Sequence, residues 1–414
     1  MSRWPLTPRG TGAVALAIGC FVAAHAFRII ELIFIGVLLL SAVAASLIAL
    51  ALARRTETVA RAFHPDVASA GSEVDVRLRV KTRSPIPAAQ GRWHDALPDG
   101  VSGDAFGVFP ATGSSMRSGG EAVELGYTVT AERRGVRLIG PLSVVASDPF
   151  GFARRRHTIG RPLPLTITPQ IIDLGPLVEQ PGEAGGSMHT ATDQLGQGSD
   201  NLIPRVYVPG DSMRRIHWRA SAHRDQLMVR QEEQETTPEA TVILDTARAR
   251  WDDDASRSPG ADPDFETAVS LCVSAAARLV QEGYVVTVRS GDGMPLADPI
   301  AGGDAVAVEQ LAIDLATVTA HGDAAPNALV ALFAGVSAGP VVVITGALGD
   351  ADAAVLAPLA HHSALPLLIA LAPEHRSLER LTGAGWRAVA LSGEDDSGAV
   401  WSVLVDRGAH RVEA

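Results

Sequence analysis

The densest run of reactive side chains lies between Gly210 and Arg230, where Arg214, Arg215, Arg219, Arg224 and Arg230 flank Trp218. Guanidinium groups beside an aromatic ring can stack on bases or grip phosphates. Glu232, Glu233 and Glu235 follow directly, however, and can neutralise the cluster within one domain. Two further readings stand beside the nucleic-acid one. In the first, Arg214, Arg215, Trp218 and Arg219 form a protein-docking surface. In the second the stretch is structural: Asp211 N-caps a short helix, Trp218 is a buried anchor, and the arginines pair with acids. A separate carboxylate, Asp245, closes the apolar run 240–245 (ATVILD). The carboxyl end of a central strand is where open α/β sheets bind ligands. With Asp252, Asp253 and Asp254, Asp245 could serve a metal-assisted hydrolase. The plainer alternatives are a carboxylate that caps a neighbouring loop or helix, and a solvated acidic loop.

Other chemistry is faint. His217 and His223 are six residues apart and do not share a helical face, while His361 and His362 are adjacent, so neither pair has metal-ligand spacing. Gly346-Ala347-Leu348-Gly349 follows a strand but lacks the Lys-Ser/Thr of a phosphate loop. No Gly-x-Ser-x-Gly elbow is present. The two cysteines, Cys20 and Cys272, can build neither a disulfide framework nor a four-ligand zinc site, and both read as small apolar packing groups. No cofactor is expected. The formal net charge of −11 argues against nonspecific nucleic-acid binding, which needs a basic surface to release counterions.

These groups must be carried by the elements that the hydropathy pattern marks out. Residues 11–27 and 29–53 are apolar runs separated by Arg28 and Glu31. As a helix the second spans about 37 Å, against a hydrocarbon core of about 30 Å. The first is shorter, and Thr7 to Gly10 could extend it. A cleaved signal peptide is the competing reading, with Ala24-His25-Ala26 as the small-x-small site, but cleavage there would still leave the second run. Arg3 and Arg9 precede the first span, and Arg54, Arg55 and Arg61 follow the second. The positive-inside rule then puts both ends, and the soluble bulk, in the cytoplasm. Residues 1–56 are therefore expected to be a two-helix membrane anchor in contact with lipid.

Residues 73–82 (EVDVRLRVKT) alternate strictly between apolar and polar, and 121–130 repeat the pattern. That is the period of half-buried strands. With further runs at 136–146 and 164–168, residues 57–175 read as an antiparallel β-sandwich. Residues 176–200, rich in Gly, Ser and Thr, read as a linker. Beyond them the rhythm becomes strand–helix alternation. Strands are expected at 240–245, 284–289, 340–345, 366–371 and 386–391, with helices over 264–282, 304–318 and 350–362. Apolar strands alternating with helices imply a doubly wound parallel sheet for 201–414.

Three stretches resemble the domain-of-unknown-function 58 family. Residues 133–152 (RRGVRLIGPLSVVASDPFGF) are similar to its RRG…GP…DPFG signature. Residues 205–230 are similar to its hallmark, here Tyr207, Gly210, Asp211, Trp218, Arg219 and Ser221. The strand ending in Asp245 resembles the first strand of that family's von Willebrand factor A-like domain. The resemblance implies a membrane-bound protein of unestablished biochemical function with an assembly or chaperone-linked role. The expectation drawn from it and the anchor is a scaffold or adaptor, with a metal-assisted hydrolase centred on Asp245 as the alternative. The resemblance also implies partners of the MoxR-type AAA ATPase or transglutaminase-like membrane protein kind. A metal-binding von Willebrand A domain carries Asp-x-Ser-x-Ser at this point. Here the segment is Asp245-Thr246-Ala247-Arg248-Ala249: both serine positions are alanine, and Arg248 adds a cation. Asp245 is thus expected to be a degenerate metal-site position that holds no metal.

Overall fold

Thr7 and Pro8 set where the first helix begins. In the computed structural model Thr7 is extended and its hydroxyl accepts the Gly10 amide at 3.1 Å, while Pro8 occupies the first helical position, where a missing N–H costs nothing. Helix α1 (Pro8–Phe27) therefore includes the extra turn. It ends at Arg28, whose φ of 57° is a left-handed cap. Helix α2 (Glu31–Leu52) follows, with Glu31 in its first turn, where a negative charge suits the helix dipole. Both helices are long and apolar enough to cross a membrane. Only 22% and 17% of their most apolar windows are buried, whereas a core helix of a soluble protein hides most of its length. The buried residues of α1 are Gly10, Ala13, Ala17, Cys20 and Ala24, one small-residue face at three- and four-residue spacing. Such a face lets two helices approach closely without a driving force from water.

The structure describes residues 5–52, 56–83, 90–112, 121–148, 150–177, 202–207, 213, 216–224, 226–232, 238–323, 330, 333, 338–392 and 395–406. Most of the expected linker lies outside them. The chain divides into two units. One is Met1–Gln170 with Asp254–Asp262 and Ala312–Thr319; the other is Ile171–Asp253 with Pro263–Leu311 and Ala320–Ala414.

The first unit joins the hairpin of α1 and α2 to three small sheets. One sheet has the order β1 (Thr56–His64), β3 (Glu73–Arg83), β7 (Glu121–Ala131), β5 (Val101–Gly103). A second runs β10 (Arg154–Ile159), β9 (Leu142–Ser147), β4 (Gly91–Asp95), β6 (Phe106–Phe109). The third is β2 (Val67–Ser69), β11 (Leu163–Thr168), β8 (Gly135–Ile139). All ladders are antiparallel except β2–β11, so the expected sandwich gains one parallel pair. Alternation in β3 puts Val74, Val76, Leu78 and Val80 into the core with Trp93, Ile139, Leu142 and Ile167.

A charged pair is buried beside that core. Asp95 is fully buried and receives Arg61 Nη2 at 2.7 Å, Arg61 Nε at 3.2 Å and the Tyr127 hydroxyl at 2.6 Å. Gly140, the glycine of the GP signature, has φ +103°, and a Cβ there would stand 2.6 Å from Arg61 Nη2. The glycine is needed for the guanidinium to reach the carboxylate. Arg61 was expected as a flanking charge of the second span. In the folded chain it is paired with Asp95.

The DPFG stretch ties the hairpin to the sheets. Asp148, buried, accepts the amides of Phe150 at 2.9 Å and Ala153 at 2.6 Å and so shapes the turn. Against that turn the Thr7 amide donates to Phe152 O at 2.9 Å, the Arg154 amide donates to Pro5 O at 2.8 Å, and the Thr7 hydroxyl donates to Gly151 O at 2.6 Å. A Cβ on Gly10 would lie 2.1 Å from Phe152 O, so no other residue fits there. At the other end of the hairpin, Arg155 Nη1 donates to Leu50 O at 3.3 Å.

In the second unit, β12 (Leu202–Val206) and β13 (Met228–Glu232) form an antiparallel pair. The main sheet comprises β14 (Glu239–Leu244), β15 (Val285–Ser290), β16 (Ala338–Leu348), β17 (Ser363–Pro373) and β18 (Arg387–Ala390), all parallel, in the order β15-β14-β16-β17-β18. This is the 2-1-3-4-5 order of doubly wound sheets. The helices with described bounds include α3 (Trp218–Arg224), α4 (Asp254–Arg257), α5 (Pro263–Gln281), α6 (Ala305–Asp314), α7 (Asp350–Leu356), α8 (His375–Gly383) and α9 (Ser397–Asp406); α4 and the end of α6 cluster with the first unit. Each expected strand falls on an observed one, displaced by at most a few residues at its ends.

Helix α5 buries most of its circumference, Cys272 included. Burial pushes the Cys272 thiol up to about 12, so almost no thiolate exists near neutrality. In a Cys20→Ala background, maleimide at pH 8 is expected to leave Cys272 unmodified by mass spectrometry until denaturant unfolds the sheet. Rapid labelling of the native protein would contradict the packing described here.

Candidate functional site

The hallmark segment is held from behind. The Tyr207 amide donates to Leu227 O at 2.7 Å, continuing the β12–β13 ladder. Ile216, buried, bridges to Val229, and the His217 amide donates to Met228 O at 2.8 Å. Helix α3 then starts, with the Ala220 amide donating to His217 Nδ1 at 3.0 Å. Ser221 fastens it: its hydroxyl accepts the Met228 amide at 2.8 Å and donates to His217 O at 3.1 Å. Ser221 thus has a structural task that its place in the hallmark did not reveal.

Trp218 behaves differently. It opens α3 with 69% of its surface exposed, Arg219 beside it is exposed, and no residue of α3 is buried. The buried-anchor reading of Trp218 is therefore wrong. The inward contacts of this seven-residue helix are supplied by Ile216 before it and by the Ser221 hydroxyl, which leaves its first turn facing solvent. Met213, 65% exposed, adds apolar surface to the same segment. Gly210, Asp211, Arg214 and Arg215 lie outside the described residues.

Asp245 follows the last residue of β14, with its amide bonded to Ile344 O at 2.9 Å. Its Oδ1 accepts the Ala247 amide at 3.0 Å, and its Oδ2 accepts the Thr345 hydroxyl at 2.9 Å. Arg250 Nε lies 3.4 Å from the same Oδ2. Arg250 Nη1 also bonds to Asp352 Oδ2, and it reaches Ala347 O at 3.2 Å. The Gly349 amide supports Asp352 at 3.3 Å. Two glycines permit this closeness: a Cβ on Gly346 would be 2.1 Å from Arg250 O, and one on Gly291 would be 2.9 Å from Asp245 Oδ1.

The electrostatics follow from that geometry. Burial raises the Asp245 carboxyl, opposed by the Ala247 amide, the Arg250 charge and the Thr345 hydroxyl. The hydrogen bond from Arg250 holds Asp352 below the usual carboxylate range, and Asp352 in turn raises Arg250. Both Asp245 oxygens are engaged, and the cation beside them is a guanidinium. Arg248, expected in that role, is exposed; the 3-10 turn Arg248–Arg250 brings in the arginine two residues later. Among the described residues no three His, Cys, Asp or Glu side chains converge on a metal-sized space, so Asp245 and Asp252–Asp254 are not assembled into one. Thr345 and Asp352 completed the network unannounced. Thr345 ends the expected strand 340–345, where a second carboxylate would be expected, and Gly346 beside it admits the Arg250 backbone.

Residues 204–384, from β12 into the end of α8, match the model of the family described as Protein of unknown function DUF58. Over that stretch the chain carries a DUF58 domain. The match takes in the hallmark segment, Asp245 and four of the five parallel strands, while the DPFG turn precedes it. No curated protein matches this chain. About a quarter of it aligns with small solved domains. One is the CARDB domain of the PF1109 protein from Pyrococcus furiosus, in complex with di-metal ions (12% identity, 27% of this chain, 93% of that one, TM-score 0.19). Another is the GAE domain of GGA2p from Saccharomyces cerevisiae (12% identity, 27% and 99%, TM-score 0.18). A third is a conjugative transposon lipoprotein from Bacteroides eggerthii (14% identity, 25% and 97%, TM-score 0.15). Likenesses at this level carry no argument about the fold or the activity of the chain.

Proposed function

We propose that this protein is a membrane-anchored scaffold, facing the cytoplasm, that docks a protein partner through Trp218 and Arg219. The observation that carries the reading is the exposure of Trp218 on a helix that Ser221 fastens from behind. A large aromatic held rigidly in water is costly surface for a monomer, and Trp and Arg are the residues that dominate docking hot spots. Arg214 and Arg215 would extend the surface, and the partner expected from the family resemblance is a MoxR-type AAA ATPase. A shared bilayer would raise the local concentration of such a partner.

The orientation rests on charge and on the hairpin. Thr7 and Leu50 are both held by the first unit, which supports a hairpin whose two ends share one side of the bilayer. Arg3, Arg9, Arg54 and Arg55 flank those ends, which favours the cytoplasm. The parallel sheet with Asp245 at the end of β14 supports a von Willebrand A-like reading in which Arg250 stands where a metal would. The hydrolase reading needs that guanidinium displaced, and no observation favours it.

Cross-linking in native membranes tests the docking surface. Wild-type chain is expected to capture an ATP-hydrolysing partner that Trp218→Ala and Arg219→Ala each lose. Because both side chains are exposed, neither variant should change stability by more than about 0.5 kcal/mol. If the variants retain the partner, or the wild type captures nothing they lose, the docking role fails.

A further inference from the structure

We propose that the DPFG turn and the start of β10 form a second membrane contact, in which Phe150 enters the bilayer interface and Arg9, Arg154 and Arg156 bind anionic phospholipid headgroups. The inference rests on the reading of α1 and α2 as a membrane hairpin. Three observations carry it. First, the turn is bonded to the very point where the hairpin begins: Thr7 donates to Gly151 O and Phe152 O, and Arg155 meets Leu50 at the hairpin's other end. Whatever surrounds the base of the hairpin therefore surrounds this turn.

Second, the turn presents a large apolar side chain beside the base of the hairpin. Phe150 is 65% exposed, stacked only on Phe152 at 6.4 Å between ring centroids, although the Asp148 carboxylate fixes its backbone. A phenylalanine on an interfacial element inserts about 5–10 Å, to the boundary between headgroups and acyl chains. Third, the basic groups are collected at the same level. Arg9 lies in the first turn of α1, with Nη1 3.8 Å from where a Cβ on Gly151 would be. Arg154 and Arg156 share one face of the edge strand β10, exposed, and among the described residues none of the three pairs with a carboxylate. An edge strand needs charge to repel other strands. That need alone explains neither the phenylalanine nor the arginine contributed by α1. Phosphate oxygens of anionic lipid supply the counter-charge in this position.

The test uses the full chain in lipid nanodiscs with Cys20→Ala and Cys272→Ala. A nitroxide is attached at Phe150→Cys or, as a control, at Phe106→Cys on β6, the opposite edge of the same sheet. At 150 the label is expected to relax with dissolved oxygen and to be shielded from an aqueous nickel chelate; at 106 the order should reverse. In discs of mixed phosphatidylcholine and phosphatidylglycerol, enrichment of phosphatidylglycerol around the protein should fall about fivefold for each of Arg154→Gln and Arg156→Gln. A chain that does not enter the discs overturns the anchor and this contact together. A chain that enters them while the 150 label stays open to nickel, or while lipid enrichment is unchanged in both variants, overturns the contact alone.

Discussion

Replacing Arg61 with alanine should destabilise the first unit by about 3–5 kcal/mol, the cost of leaving a buried charge without its partner. Asp95 has no exposed surface, and the Arg61 side chain is only 2% exposed. Three of the bonds to the carboxylate come from one guanidinium, and truncation removes all of them together. Tyr127 cannot compensate. Burial, and then its bond to Asp95, keep its hydroxyl well above the ordinary phenol range, so it stays a neutral donor. Hydrogen exchange at the amides of Val74 to Val80 in β3 would report the loss in detergent-solubilised full-length chain. A deficit under about 1 kcal/mol, the range of a solvent-exposed ion pair, would show that Asp95 is not buried as described. Changing both partners, Arg61→Met with Asp95→Leu, should cost much less, because the pair is expensive to break rather than strongly stabilising in itself.

Arg250→Ala should cost about 2–4 kcal/mol near neutral pH, somewhat less because the pair keeps some contact with water. It strips one cation from two carboxylates, and the deficit should depend on pH in a defined sense. Asp352 is depressed in the folded state by its bond from Arg250, so its contribution is present above its unfolded pKa of about 3.9 and is lost as pH falls through the lower folded value. Asp245 is raised by burial, so its contribution is greatest in acid and fades as pH rises through its folded value. Without Arg250 the first gain disappears, and the second group becomes harder still to ionise. Both effects make the gap between wild type and variant widen from pH 3 towards neutrality. Thermal melts across that range would measure it, and a gap that stays flat would remove Arg250 from the network.

The residues that were readable in advance were those whose neighbours in sequence decide their environment. Val74, Val76, Leu78 and Val80 declare a buried face because alternation is a property of one strand. Helix α5 declares itself by its stripe, and the parallel strands by their apolar runs between helices. Arg61 could not be read this way. Its partner is thirty-four residues away on another sheet, and nothing local separates a basic residue that flanks a membrane span from one that enters a core. The same holds for Asp245. The choice between Arg248 and Arg250 depends on a short turn whose pitch has no hydrophobic signature. For Trp218, an aromatic among arginines suits an interface and an anchor equally well, and exposure was settled by where Ile216 and Ser221 make their bonds.

The fastening of both hairpin ends to the same turn and strand gives the anchor a mechanical character. A single span leading into a flexible linker is a leash, and its cargo samples every height and tilt that the slack allows. A hairpin bonded at Thr7 and at Leu50 acts as a mast. In the proposed membrane setting it would hold the first unit at one elevation over the lipid, and a partner on that bilayer would meet it within a narrow band of distances.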